Sequence, residues 1–245
     1  MKDLLITIFG IFFIFFMTTL GSSFVFLFRN KVNDKVNKIF LGLSSGIMIA
    51  ASIWSLLIPA IDKASIYNSF TMLPIVIGFI LGGLFLVSID KFIPTDDRKV
   101  NKKLFLSIMI HNIPEGLAVG VAFGSAFLLK DSSSFLTALG LAIGIGFQNL
   151  PEGAAISLPM KNEYGNKKAF SYGVLSGIVE PIAAIIGILL AMQVTYLMPW
   201  LLSFAAGAMI FVVIEELIPE SQSKYGTWAL MLGFVLMMML DVILG

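Results

Sequence analysis

Histidine occurs once in the 245-residue chain, at position 111, and Glu115 follows it four residues later. On a helix that spacing puts imidazole and carboxylate on one face, with Asn112 on the adjoining face. Gln148 and Glu152 repeat the spacing with Asn149 beside them, and a third acid, Glu180, stands in Gly177-Ile178-Val179-Glu180-Pro181. All of these residues interrupt long apolar runs that hold no lysine or arginine beside them. A carboxylate at the centre of a bilayer costs about 3 kcal/mol on insertion scales, so three of them need partners. A divalent cation is such a partner: Glu115 and Glu152 neutralise it, and His111 and Gln148 complete a shell of nitrogen and oxygen donors. Imidazole suits Zn2+, Fe2+ or Ni2+ better than Mg2+ or Ca2+.

Prolines mark the same places. Pro114 and Pro151 each precede a glutamate by one residue, and each removes a helical hydrogen bond, freeing the carbonyls of Ile110 and Phe147. Pro181 does the same to Gly177. Free carbonyls at membrane depth are tolerated where they line a polar cavity or bind an ion. A lone Glu beside a proline can instead be a protonated structural residue, but a convergent set on three helices is hard to read that way. Gly116, Gly120 and Gly124, like Gly78 and Gly82, read as small-residue packing against neighbouring helices. Met48 and Ser52 read from their surroundings as packing residues.

The elements that must position these side chains are membrane helices. Hydrophobic residues make up 58% of the chain and charged ones 13%, well outside the balance of a soluble domain. Apolar runs of about 20 residues, long enough to span roughly 30 Å of hydrocarbon, predict eight helices: 4–28, 36–60, 71–92, 103–129, 135–159, 168–192, 196–219 and 226–244. These are spans 1 to 8 of an all-α, polytopic membrane protein, with residues 1–245 forming one transmembrane domain. Cysteine is absent, which excludes thiolate metal sites and thiol nucleophiles. A net charge of +1 without a basic tail gives no footing for nucleic acid.

Lysine and arginine crowd the odd-numbered loops: thirteen lie there, and three, Lys2, Lys63 and Lys130, lie on the other side. The positive-inside rule then places the odd loops in the cytoplasm and both termini outside. Two internal similarities accompany this topology. His111-Asn112-Ile113-Pro114-Glu115-Gly116 resembles Gln148-Asn149-Leu150-Pro151-Glu152-Gly153 on antiparallel spans 4 and 5. Gly46-Ile47-Met48-Ile49 with Leu57-Ile58-Pro59 in span 2 resembles Gly207-Ala208-Met209-Ile210 with Leu217-Ile218-Pro219 in span 7. Together they predict an inverted repeat of spans 1–3 and 6–8 around the central pair, an arrangement common in transporters.

The HNxPEG sequence of span 4 and the xxxPEG sequence of span 5 resemble the hallmark of the Zrt- and Irt-like (ZIP) divalent metal transporters, and the resemblance covers essentially the whole chain. It implies a primary metal held by His111, Glu115, Gln148 and Glu152, and an adjoining site formed by Asn112, Asn149 and Glu180 that shares Glu115 and Glu152. It also implies that Met48 and Ser52 lie near the path, that Asp90 and Glu216 belong to a release route, and that the protein is a homodimer. Alternating access by a bundle of spans 1, 4, 5 and 6 sliding against the rest follows from the same resemblance. Two positions depart from it: Gln148 stands where many members have His, and Asn149 where a bacterial pattern has Asp. The first lacks an imidazole donor and the second removes a negative charge from the adjoining site. The loop after span 3, often histidine-rich in the family, offers only Asp96 and Asp97 as ligands here.

The expected function is therefore import of Zn2+, with Fe2+, Mn2+ or Cd2+ as further substrates, across a cell membrane, and the metal is cargo with no cofactor implied. No phosphate-binding loop for ATP is present. The rival reading is an intramembrane metal-dependent hydrolase. Catalytic zinc usually takes several histidines and keeps one open position, and a chain with one histidine and no HExxH motif fits that poorly.

Overall fold

The structure, a computed structural model, describes residues 2–27, 34–90, 100–130, 132–193 and 195–244. Among them there is no strand. Helices dominate because a chain this apolar must satisfy each backbone N–H and C=O within its own segment once water is gone. Span 1 is Lys2–Ser22, extended by the turn Phe24–Leu27, and span 2 begins as Asp34–Ala51. Span 3 is Met72–Asp90, span 4 Val100–Leu129, span 7 begins as Met198–Val212, and span 8 is Lys224–Leu244. Among the described residues seven segments have the length and composition to cross a membrane, and the shorter apolar helix Met72–Ser88 occupies the place of span 3. The basic residues Arg29, Lys31, Lys91, Arg98 and Lys99 lie outside the described residues.

Spans 5 and 6 differ from expectation at their junction. The apolar segments Ser133–Leu158 and Tyr164–Ala191 are separate as expected, but in place of a loop over 160–167 the helices on either side run up to a single kink where Gly165 takes φ 75°. A left-handed residue at no steric cost lets the chain reverse there without a longer connection. Span 6 is interrupted at Ile178 and resumes as Val179–Gln193. That break adjoins the Gly177 carbonyl that Pro181 cannot bond.

Spans 2 and 7 share a second irregularity that periodicity did not foretell. Each passes through a π-helical turn, Ser52–Leu57 in span 2 and Val213–Leu217 in span 7, before resuming as Ile58–Lys63 and Ile218–Ser221. The Ile58 N–H donates to Ile53 and the Ile218 N–H to Val213, five residues back in both cases. The cause is the next residue. Pro59 and Pro219 have no N–H to continue the ladder, and widening the turn accommodates their rings.

The helices pack in pairs at very short range. A Cβ on Gly116 or Gly120 would strike the carbonyl oxygen of Glu180 or Ala184, so span 4 lies backbone to backbone on span 6. Gly21 and Gly153 bring span 1 equally close to span 5, Gly42 and Gly46 bring span 2 onto span 8, and Gly82 and Gly207 bring span 3 onto span 7. Close approach through small residues is how helices associate where lipid offers no hydrophobic drive. Large apolar side chains remain exposed on the periphery, among them Leu5, Phe12, Ile80, Leu84, Ile185 and Leu189, as a lipid-facing surface requires.

Candidate metal site

The two PEG motifs come together. Both helices run unbroken through Pro114 and Pro151, and the Gln148 amide donates to Glu115 Oε1 at 2.7 Å, joining span 5 to span 4. Asn112 turns the other way. Its Nδ2 donates to the Ser176 carbonyl at 3.0 Å and to Glu180 Oε1 at 3.1 Å, joining span 4 to span 6. Glu115, Gln148 and Glu180 are fully buried, and Asn112, Asn149 and Glu152 nearly so. The carboxylates of Glu152 and Glu180 lie within electrostatic reach of Glu115, and Glu216 within that of Glu152. None of Glu115, Glu152 and Glu180 forms an ion pair with a described lysine or arginine.

The chemistry lies in what these groups leave unpaired. Asn112 Oδ1, Glu115 Oε2, Gln148 Oε1, Asn149 Oδ1, Glu152 Oε1 and Glu180 Oε2 are buried acceptors without a hydrogen-bond donor among the described residues, and the Asn149 Nδ2 beside them is a buried donor without an acceptor. A buried polar atom left unsatisfied costs about 1–3 kcal/mol, more when charged. Six oxygens on three helices need protons or a cation, and a hard or borderline divalent ion binds oxygen donors of this kind. Among the described residues no three His, Cys, Asp or Glu side chains gather closely enough to hold a metal. Half of the oxygen set is amide, and the His111 side chain lies outside the described residues.

The other expected residues divide. Met48 is buried in the core, and Ser52 donates to the Met48 carbonyl at 2.8 Å, its own helix taking up the hydroxyl hydrogen. Glu216 sits half-buried in the π-turn of span 7, and the Asp90 side chain lies outside the described residues. Three residues were missed. Thr18 of span 1 donates to Glu180 Oε1 at 2.6 Å. Ser55, in the π-turn of span 2, donates at 2.6 Å to Asp241 of span 8, whose other oxygen has no partner. An acid among Met237-Met238-Met239-Leu240 was open to the same cost argument that singled out Glu115. A threonine in an apolar span carries no such signal.

A cavity of about 140 Å3 opens toward the connection between spans 4 and 5, lined by Ser55, Lys63, Ser125, Ser134, Thr137 and apolar neighbours. Ala122 in its wall is seven residues beyond Glu115, about 10 Å along the helix. Buried Ala118, Val119, Ala142 and Ile145 fill spans 4 and 5 between cavity and carboxylates.

Apolar helices long enough to cross a membrane, with buried polar side chains on three of them, define a polytopic membrane protein. A family profile described as ZIP Zinc transporter matches residues 98–241. Relatives include zinc transporter ZIP11 of Homo sapiens, 33% identical over 96% of both chains, and zinc transporter GufA of Myxococcus xanthus, 34% identical over 89% of this chain and 91% of that one. Zinc transporter ZIPB of Bordetella bronchiseptica is 32% identical over 94% of this chain and 79% of its own. The chain belongs to the ZIP family of zinc transporters. It is a transporter and not an enzyme, and the hydrolase reading falls.

Proposed function

We propose that this protein carries Zn2+ into the cytoplasm, holding it between spans 4, 5 and 6 on His111, Glu115, Gln148 and Glu152, with Asn112, Asn149 and Glu180 forming an adjoining site. The observation that carries this reading is the set of six buried oxygens that have neither a hydrogen-bond donor nor a cation among the described residues. The cavity toward the span 4–5 connection is then the outer vestibule, closed from the site by buried apolar side chains. Glu216, within reach of Glu152, marks the way out on the cytoplasmic side.

The packing supports an inverted repeat and a two-body mechanism. Exchanging spans 1, 2, 3 and 4 with 6, 7, 8 and 5 maps the close pair 1·5 onto 6·4 and the pair 2·8 onto 7·3. It also carries one π-turn and its Ile-Pro onto the other. Spans 1, 4, 5 and 6 form one body and spans 2, 3, 7 and 8 a second, consistent with sliding of the first along the second within a homodimer.

The test is Zn2+ uptake by proteoliposomes holding the purified protein. Wild-type vesicles should accumulate Zn2+. Glu115→Gln keeps the side-chain volume and removes one charge from the site, so the variant should fold and insert normally while losing uptake by about a hundredfold or more, as expected when a buried charged ligand is neutralised. Undiminished uptake would show that Glu115 is structural.

A further inference from the structure

Away from the two PEG motifs, span 1 is by sequence a plain apolar helix. Thr18 lies one turn below Ile14 and has the usual intrahelical acceptor for a buried hydroxyl, the Ile14 carbonyl, at 3.2 Å. It is nearer to something else. Its Oγ1 stands 2.6 Å from Glu180 Oε1, the length of a charge-assisted O–H to carboxylate bond. Asn112 Nδ2 reaches the same oxygen at 3.1 Å, while Glu180 Oε2 is buried with no partner. Both donors occupy one oxygen; the Asn149 amide also lies beside the carboxylate, but Oε2 accepts no well-formed hydrogen bond from the described residues.

Thr18 is held for this task. A Cβ on Gly153 would strike its backbone carbonyl, and one on Gly177 would come within 3.0 Å of its Cγ2, so the residue is wedged between the helix of Glu152 and the helix of Glu180. Ser22, one turn on, is 2.8 Å from the Thr18 carbonyl of its own helix and 3.2 Å from the Gly153 carbonyl, which sets span 1 against span 5 at the same level. The side chain cannot withdraw without separating three helices.

We propose that Thr18 is a positioning residue for the transported ion: with Asn112 it pins Glu180 by Oε1 and presents Oε2 alone, so that Glu180 ligates through a single oxygen. This rests on the reading of spans 4 to 6 as the metal site. A one-oxygen carboxylate suits Zn2+, which takes four short bonds in tetrahedral sites. An ion that accepts six or more oxygens, as Mn2+ or Ca2+ does, gains from a carboxylate free to rotate and offer both. Thr18 thus tilts the site toward the smaller coordination number.

The test compares Thr18→Val, which keeps the methyl and the shape but not the hydroxyl, with Thr18→Ser, which keeps the hydroxyl. Equilibrium binding of Zn2+ and Mn2+ to detergent-purified protein and initial rates of Zn2+ uptake are measured together with thermal unfolding. Thr18→Val should raise the Zn2+ dissociation constant and KM about tenfold, the usual scale for one hydrogen bond to a charged group. The maximal rate should stay within about twofold and Mn2+ binding should weaken less than Zn2+ binding. Thr18→Ser should restore Zn2+ binding. If Thr18→Val does not accumulate, Thr18→Ala against Thr18→Ser gives the same comparison. Zn2+ affinity and the Zn2+ to Mn2+ ratio unchanged in Thr18→Val, with Glu180→Gln impaired, would overturn the proposal and leave the metal site standing. Zn2+ binding indifferent to both Glu115→Gln and Glu180→Gln would instead overturn the site itself.

Discussion

The four helices 1, 4, 5 and 6 and the four helices 2, 3, 7 and 8 are built alike and equipped differently. Inside each set, glycines bring backbones into contact and small hydroxyls sit against the neighbouring helix: Ser22 lies 3.2 Å from the Gly153 carbonyl in the first, Ser203 of span 7 lies 3.1 Å from the Pro74 carbonyl of span 3 in the second, each with a nearer acceptor in its own helix. Between the sets the surfaces change character. Where Gly144 of span 5 faces span 8 it meets the flexible side chain of Met237, and buried Met48, Leu56, Met209 and Val213 line the second set's inner faces. Backbone-close contacts resist displacement, whereas adaptable apolar side chains re-pack at low cost. The first set carries every amide and acid of the PEG motifs together with Glu180. The second carries both π-turns, Asp241 and Glu216. In the two-body reading, one set is the carriage and the other supplies the polar groups at the ends of its track.

Linking the two sets should have the largest effect. The chain has no native cysteine, so cysteines at Gly144 and Met237 can be joined by a short thiol reagent without background. Cross-linked protein should stop transporting while still binding Zn2+, and reduction should restore uptake. A matching pair inside the second set, at Phe85 and Phe204, whose rings are 5.4 Å apart, should be tolerated when linked. Equal inhibition by both pairs would refute the division.

Next comes a change within the carriage. Gly116→Ala places a methyl against the Glu180 carbonyl, and overpacking of this kind costs about 1–3 kcal/mol. Thermal unfolding in detergent should fall by several degrees and Zn2+ affinity should drop with it, because spans 4 and 6 hold Asn112 and Glu180 in contact. An unchanged melting temperature would mean that the helices separate freely.

The smallest effect belongs to a bond that crosses the divide. Ser44 of span 2 donates to the Gln148 carbonyl at 3.2 Å, beside the carbonyl that Pro151 releases. Ser44→Ala removes a net contribution of about 1 kcal/mol, which should alter the uptake rate up to about fivefold with Zn2+ affinity unchanged. A change in affinity and none in rate would assign Ser44 to the site and not to the sliding surface.

Much of this was legible in order of residues alone. Apolar runs of bilayer length fix where helices form, because the bilayer core permits few other ways to satisfy a backbone. The spacing of Glu115 to His111 and of Glu152 to Gln148 fixes which side chains share a helix face, since 3.6 residues make a turn regardless of what surrounds it. The separation of spans 5 and 6 was legible, but the shortness of their connection was not, because polar residues such as Lys161, Asn162 and Glu163 can continue a helix outside the bilayer as readily as end it. The π-turns escaped because Pro59 and Pro219 report a missing hydrogen bond without saying how the chain will absorb the loss.

Which oxygen of which carboxylate stays free is a tertiary matter. Gln148 turns to Glu115, Asn112 turns to Glu180, and Thr18, more than 160 positions earlier in the chain, completes the second arrangement. Local sequence carries no record of that choice. A threonine in an apolar helix has its own backbone carbonyl within reach, and only the arrival of another helix, drawn in by glycines at 153 and 177, offers it a carboxylate at shorter distance. Periodicity is decided by bonds within a segment and survives any packing. A hydrogen bond between segments depends on the distance and angle at which two helices meet, and that is set by the small residues along the whole length of both.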